Sequence, residues 1–224
     1  MKGSTTLHIL KKYRHTLIIP IYGLIYLICF YYLEQNIVLD SDVHIIHMRI
    51  DDYIPFCEYF IVPYMLWFLY IVVTVIYFIF QDKKEYYQLI INLFTGMSLF
   101  LIISYVYPNG QTLRPDTFIR DNIFVEMVRQ LYSTDTPTNI LPSIHVFNSL
   151  AALIAILRNR NLQKHKWILY SASILTTCII MATVFLKQHS VMDVITGILL
   201  SAILYIFIYK IDYSILIKPK EFSG

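Results

Sequence analysis

The feature that most restricts this chain is a succession of apolar runs, each close to the length that crosses a bilayer. A helix needs roughly 20 apolar residues to span the hydrocarbon. Backbone groups there must pair within their own segment, so each run is expected to be helical. Six runs qualify: Thr16 to Leu33, Tyr59 to Phe80, Tyr87 to Tyr107, Ser143 to Leu157, Trp167 to Leu186, and Val191 to Tyr209. The fourth reaches full length only if it takes in Arg158 and its neighbours at the interface, where long basic side chains snorkel. Only 15% of the residues are charged, far below the roughly 25% of soluble domains. The expectation is an all-α integral membrane bundle of six transmembrane helices, one domain over residues 1–224. Tyrosines crowd the ends of the runs (Tyr31, Tyr32, Tyr86, Tyr87, Tyr107, Tyr209), as an interfacial belt requires.

The distribution of basic residues orients the bundle. The N-terminus, the turns at Asp82 to Glu85 and Arg158 to Lys166, and the C-terminal tail together hold 13 Lys and Arg residues. The alternate segments hold five: Arg49, Arg114, Arg120, Arg129 and Lys187. The positive-inside rule therefore predicts cytoplasmic termini and an extracytoplasmic position for the intervening loops. Lys11, Lys12 and Arg14 before the first run resemble a signal peptide. That run is too long and lacks a small-residue cleavage site, so a retained anchor is expected. Cys29, Cys57 and Cys178 show no metal or redox spacing and read as small hydrophobes.

Two outer segments follow from this orientation. The first, Glu34 to Glu58, ends in Asp51-Asp52-Tyr53-Ile54-Pro55-Phe56. A helix-entry cap is the favoured reading, and headgroup recognition the alternative. His44 and His47 lie three apart, but nothing nearby completes a metal site, so they read as solvated. The second, Pro108 to Leu141, opens with turn-forming residues. Within it, Asp121 to Tyr132 places Phe124, Val128 and Leu131 on one helical face, with Met127 beside them. A helix lying in the interface is expected, serving either packing or lipid guidance.

The chemistry collects between Pro142 and Asp193. Pro142-Ser143 reads as a helix start, with His145 in the first turn, where free N–H groups and the helix dipole favour anions. The two runs after it form a hairpin that returns the chain, bringing His189 to the face that holds His145. His189 and Asp193 are four apart and share a helical face. A carboxylate on one ring nitrogen fixes the tautomer and leaves the other free to attack or to accept a proton. Arg114 would add bidentate phosphate binding and Lys187 a point charge. The set suits an oxyanion with a labile ester.

Arg114-Pro115, then Pro142-Ser143-Ile144-His145, then His189 with Asp193, resembles the type-2 phosphatidic acid phosphatase superfamily, whose three motifs occur in this order on a six-helix bundle. The resemblance covers 107–193 by motif and the whole chain by topology. It implies that His189 is the nucleophile forming a phosphohistidine. Asp193 would orient His189, and His145 would protonate the leaving alcohol and then activate water or another acceptor. Arg114, Ser143 and nearby backbone N–H groups would hold the phosphoryl oxygens. It implies no metal and no other cofactor; the partners are a lipid phosphate substrate and membrane lipids, and nucleic acid is not among them.

Each of the three motifs departs from the family pattern. Its first motif starts with a lysine where Tyr107 stands, its second has glycine in place of Ile144, and its third has Ser-Arg where Ala182 and Thr183 stand. Lys187 would replace one missing cation, and Gln111 would donate a neutral hydrogen bond. Fewer cations weaken the grip on a phosphomonoester dianion more than on a phosphodiester. Relatives of the inositol-phosphorylceramide synthase type, which transfer headgroups between lipids, share a His-x-x-x-Asp motif without the arginine. Hydrolysis of a lipid phosphate is the first expectation and headgroup transfer the second. A metal site on His145, His189 and Asp193, a transporter, and a non-catalytic scaffold are further alternatives.

Overall fold

A computed structural model describes residues 14–39 and 42–211. Most of the N-terminal basic cluster and the C-terminal tail, used above to orient the chain, lie outside the described residues. Among the described residues, seven α-helices and almost no sheet make up the fold. In chain order they are α1 (Ile18–Asn36), α2 (Ile61–Ile79), α3 (Lys83–Val106), α4 (Ile123–Thr134), α5 (Ile144–Arg158), α6 (Lys166–Phe185) and α7 (Val191–Tyr205). Five of them, extended by short 3-10 and π turns, are long and apolar enough to cross a membrane; α5 is apolar but shorter. The chain is a multi-pass membrane protein.

The shortest span is also the most enclosed. α5 packs against α2, α3, α6 and α7, and Val146, Phe147, Ala151 and Ala152 are essentially sealed. At 1.5 Å per residue, its 15 residues cover less than the hydrocarbon thickness. Protein, rather than lipid, surrounds the difference. The predicted boundary at Leu157 agrees within a residue: the helix ends at Arg158, whose guanidinium lies over the rings of Tyr205 and Tyr209.

Small residues permit the tightest approaches. A Cβ on Gly96 would lie 2.0 Å from the Phe147 ring, so α3 meets α5 through the glycine's bare backbone. Gly197 of α7 likewise faces the Ser143 carbonyl, 2.9 Å from where its Cβ would stand. α1 is the outlying span and packs chiefly on α3, with Tyr22 stacked on Phe94 and its hydroxyl 2.9 Å from Ser98 Oγ.

Over the bundle end that carries the starts of α5 and α7, the two loops tie together. β1 (His44–Ile45) pairs in parallel with β2 (Asn109–Gly110). Asn109, fully buried, accepts from the amides of Ile140 and Leu141. Glu34 at the end of α1 accepts from Thr136 and Asn139, and Glu58 before α2 pairs with Arg120 at 2.9 Å. The helix expected in the second loop is α4, capped by Asn122. Its apolar face (Phe124, Met127, Val128, Leu131) packs onto Ile61, Tyr64, Ala182 and Leu186. Of the two roles considered for it, packing is the one its contacts account for.

Candidate active site

Each histidine is delivered by a helix start. Ser143 caps α5 with its hydroxyl accepting from Val146 N, which leaves His145 in the first turn. α6 ends at Phe185, and the turn after it is closed by Gln188 N and His189 N, both donating to the Thr183 carbonyl at 3.0 Å. Ser190 then caps α7, and Asp193 returns to accept from Ser190 N at 2.8 Å, forming a capping box. The two starts are joined directly, because Ser143 N donates to the Asp193 carbonyl at 3.1 Å.

This arrangement brings the two imidazoles together. His189 Nε2 lies 3.4 Å from His145 Nδ1, with ring centroids 5.5 Å apart. His189 is nearly buried, at 6% exposure. Its other nitrogen, Nδ1, faces Asp193 Oδ2 at 3.4 Å, in electrostatic contact without an aligned hydrogen bond. Nε2 is thus the nitrogen turned toward His145, and Nδ1 the one turned toward the carboxylate. His145 is wedged against the rings of Tyr64 and Trp67, with centroids at 4.6 and 4.3 Å.

Arg114 reaches the same place. Its guanidinium donates to Gln188 Oε1 at 2.5 Å and to the Tyr132 carbonyl at 3.2 Å, and lies 4.5 Å above the Tyr132 ring. Burial lowers its pKa, while Asp135 acts in the opposite direction. Nε remains without a partner. The amide of Gln188 donates to Asp135 Oδ2 at 3.3 Å, and Tyr64 donates its hydroxyl to the same oxygen at 3.4 Å. Burial pushes the Asp135 carboxyl up from its usual range, with the Arg114 charge pulling it back.

The other sequence-named residues stand around this centre rather than in it. Lys187, in the left-handed region at φ 53°, donates its ammonium to the Asp51 carbonyl at 2.7 Å. Burial lowers its pKa against the pull of Asp51 and Asp52. Gln111 is fully buried; its amide donates to the Lys187 carbonyl at 2.9 Å, and its Oε1 accepts from Leu113 N. Ser143 is sealed within its capping turn. Tyr107, where the family pattern has lysine, stacks on His44 with centroids 4.2 Å apart. Ala182 and Thr183 are fully buried in packing and in the turn before His189. His47 is paired with Asp52 at 2.8 Å, exposed as expected.

Sequence reasoning passed over Asp135, Gln188, Asn139, Tyr64, Trp67 and Tyr132. None lies at a diagnostic spacing, and their convergence depends on how the loop folds back. Asp51, expected as a helix-entry cap, accepts from Met48 N in the capping box of the short 3-10 turn Arg49–Asp52. Its carboxylate also accepts from Ser190 Oγ at 2.6 Å and Val191 N at 2.8 Å, capping α7 from 140 positions away.

No curated protein and no solved structure matches this chain. A family model does: residues 108–215 match the model described as PAP2 superfamily. That segment contains Arg114, Ser143, His145, His189 and Asp193, and the match supports membership of the PAP2 superfamily.

Proposed function

We propose that this protein is a membrane enzyme that hydrolyses a lipid phosphate at the extracytoplasmic face through a phosphohistidine on His189. Superfamily membership supports a phosphatase or phosphotransferase in general. The observation that carries the finer reading is the pair of imidazole nitrogens 3.4 Å apart, with Asp193 behind one ring and Arg114 one residue removed through Gln188.

The reaction proceeds in two half-reactions. In the first, His189 Nε2 attacks phosphorus, the bond to the leaving oxygen breaks, and His145 gives that oxygen a proton. In-line attack places nitrogen and leaving oxygen on opposite sides of phosphorus, so the rings move apart as the phosphoryl group enters. Asp193 stabilises the imidazolium-like ring, and Arg114 meets the phosphoryl oxygens with its unpaired Nε side. In the second, an acceptor oxygen returns the phosphoryl group from His189, giving up its proton to His145.

Headgroup transfer is the second reading, and one observation favours it. Asp135 stands beside the single arginine, and the positions of two family cations are occupied by Tyr107 and Thr183. Such a site holds a monoanionic diester with less repulsion than a dianionic monoester. The test is incubation of purified protein with labelled phosphatidate, phosphatidylglycerophosphate, a polyprenyl pyrophosphate and a sphingolipid phosphodiester, with and without alcohol acceptors. Hydrolysis predicts release of inorganic phosphate from a monoester or pyrophosphate, lost in His189→Ala. Turnover that survives this substitution removes His189 as the nucleophile.

A further inference from the structure

Beneath the loop 135–140 and against both histidines lies a cavity of about 30 Å³, the room of roughly one water molecule. Its walls hold one acceptor without a donor. Asn139 is 5% exposed, and its Nδ2 donates to Glu34 Oε1 at 2.9 Å. A carboxylate there only accepts, so the amide is oriented, leaving Oδ1 buried without a partner. Asp135 adds its carboxylate to the same cavity, and His145 and His189 complete the wall. A cavity of this size, with one unpaired amide oxygen and a carboxylate in its wall, fits a small donor, and a hydroxyl is the smallest that also carries a nucleophilic oxygen.

We propose that this cavity seats the oxygen acceptor of the second half-reaction, a water or an alcohol hydroxyl, and that Asp135 and Asn139 accept its hydrogen bonds and aim it at phosphorus. The inference rests on the phosphohistidine reading. The acceptor oxygen bonds to phosphorus, the N–P bond breaks with its electron pair returning to His189 Nε2, and the acceptor's proton passes to His145. Water brings two hydrogens, one for His145 and a second for Asp135 or Asn139. A simple alcohol brings one. The two extra acceptors therefore favour water over an alcohol and make the site a hydrolase rather than a transferase.

The experiment is rapid-quench kinetics of the full chain in detergent micelles with ³²P-phosphatidate, in buffer alone and with added glycerol. Release of diacylglycerol in the first turnover reports the first half-reaction, and decay of labelled enzyme reports the second. Asn139→Gly removes the acceptor while tolerating the backbone angle of φ 55°. Asp135→Asn keeps an oxygen for Gln188. In Asn139→Gly the first-turnover release is expected at the wild-type rate, and in both variants phosphoenzyme decay is slowed about 10-fold or more relative to that release. The share of glycerol phosphate over inorganic phosphate should rise, because water has lost its second acceptor. A fall in that share assigns the seat to the alcohol instead. Unchanged decay in both folded variants, or release and decay slowed by one common factor, overturns the assignment. A wild-type protein that turns over without labelled enzyme refutes the phosphohistidine reading itself, and that result is read without any variant.

Discussion

At Asp51 a buried carboxylate receives hydrogen bonds from Met48 N, Ser190 Oγ and Val191 N, while its own carbonyl receives the Lys187 ammonium. These contacts pin the turn that carries His189 to the first outer loop. Asp51→Ala leaves several buried donors unpaired, and a cost of about 2–4 kcal/mol is expected. The check is thermal unfolding in detergent, together with a turnover number that falls more than folding alone accounts for. The sequence made Asp51 legible as a cap but not its target, since capping across 140 positions leaves no local pattern. His145, His189 and Asp193 were legible because helical spacing and hairpin return are properties of the chain itself. Asp135 and Asn139 were not, because only the folded loop turns their polar atoms toward the histidines.

Between elements, the critical approach is that of α7 to the start of α5. Gly197 lets the α7 backbone lie against Ser143, which holds the first turn of His145 within reach of His189. Gly197→Ala would force a Cβ to 2.9 Å from the Ser143 carbonyl and 3.2 Å from Val146 Cβ. Backbone cannot give way there as a flexible side chain could. A loss of about 1–3 kcal/mol is expected, with turnover reduced by an order of magnitude or more as the histidines shift. Gly23→Ala on α1, where an added Cβ would meet no neighbouring element within 4 Å, is the control and should leave the rate unchanged, with stability equal or raised by up to about 1 kcal/mol. Five of the six spans were readable from length and apolarity. The sixth, α5, was readable as apolar yet short. Its enclosure by four helices explains how a short span suffices, and a one-dimensional pattern does not contain that information.

For the whole molecule, the expected orientation follows from where basic residues fall along the chain. Ile119 lies fully exposed in the loop on the histidine side, and Arg160 in the turn at the other end. With Cys29, Cys57 and Cys178 replaced by alanine or serine, Ile119→Cys should react with a membrane-impermeant maleimide on intact cells. Arg160→Cys should react only after permeabilisation. The opposite pattern would place the site on the cytoplasmic face and overturn the orientation.

The central claim is that this bundle presents His189 as a phosphoryl acceptor, and it is tested most directly by finding the phosphate. After millisecond quenching of the enzyme with ³²P-phosphatidate, the account predicts acid-labile, base-stable label on the peptide containing His189, absent from His189→Ala and accumulating in His145→Ala with an activated phosphoryl donor. Steady turnover with no label on the protein, or label on His145 instead, would contradict it.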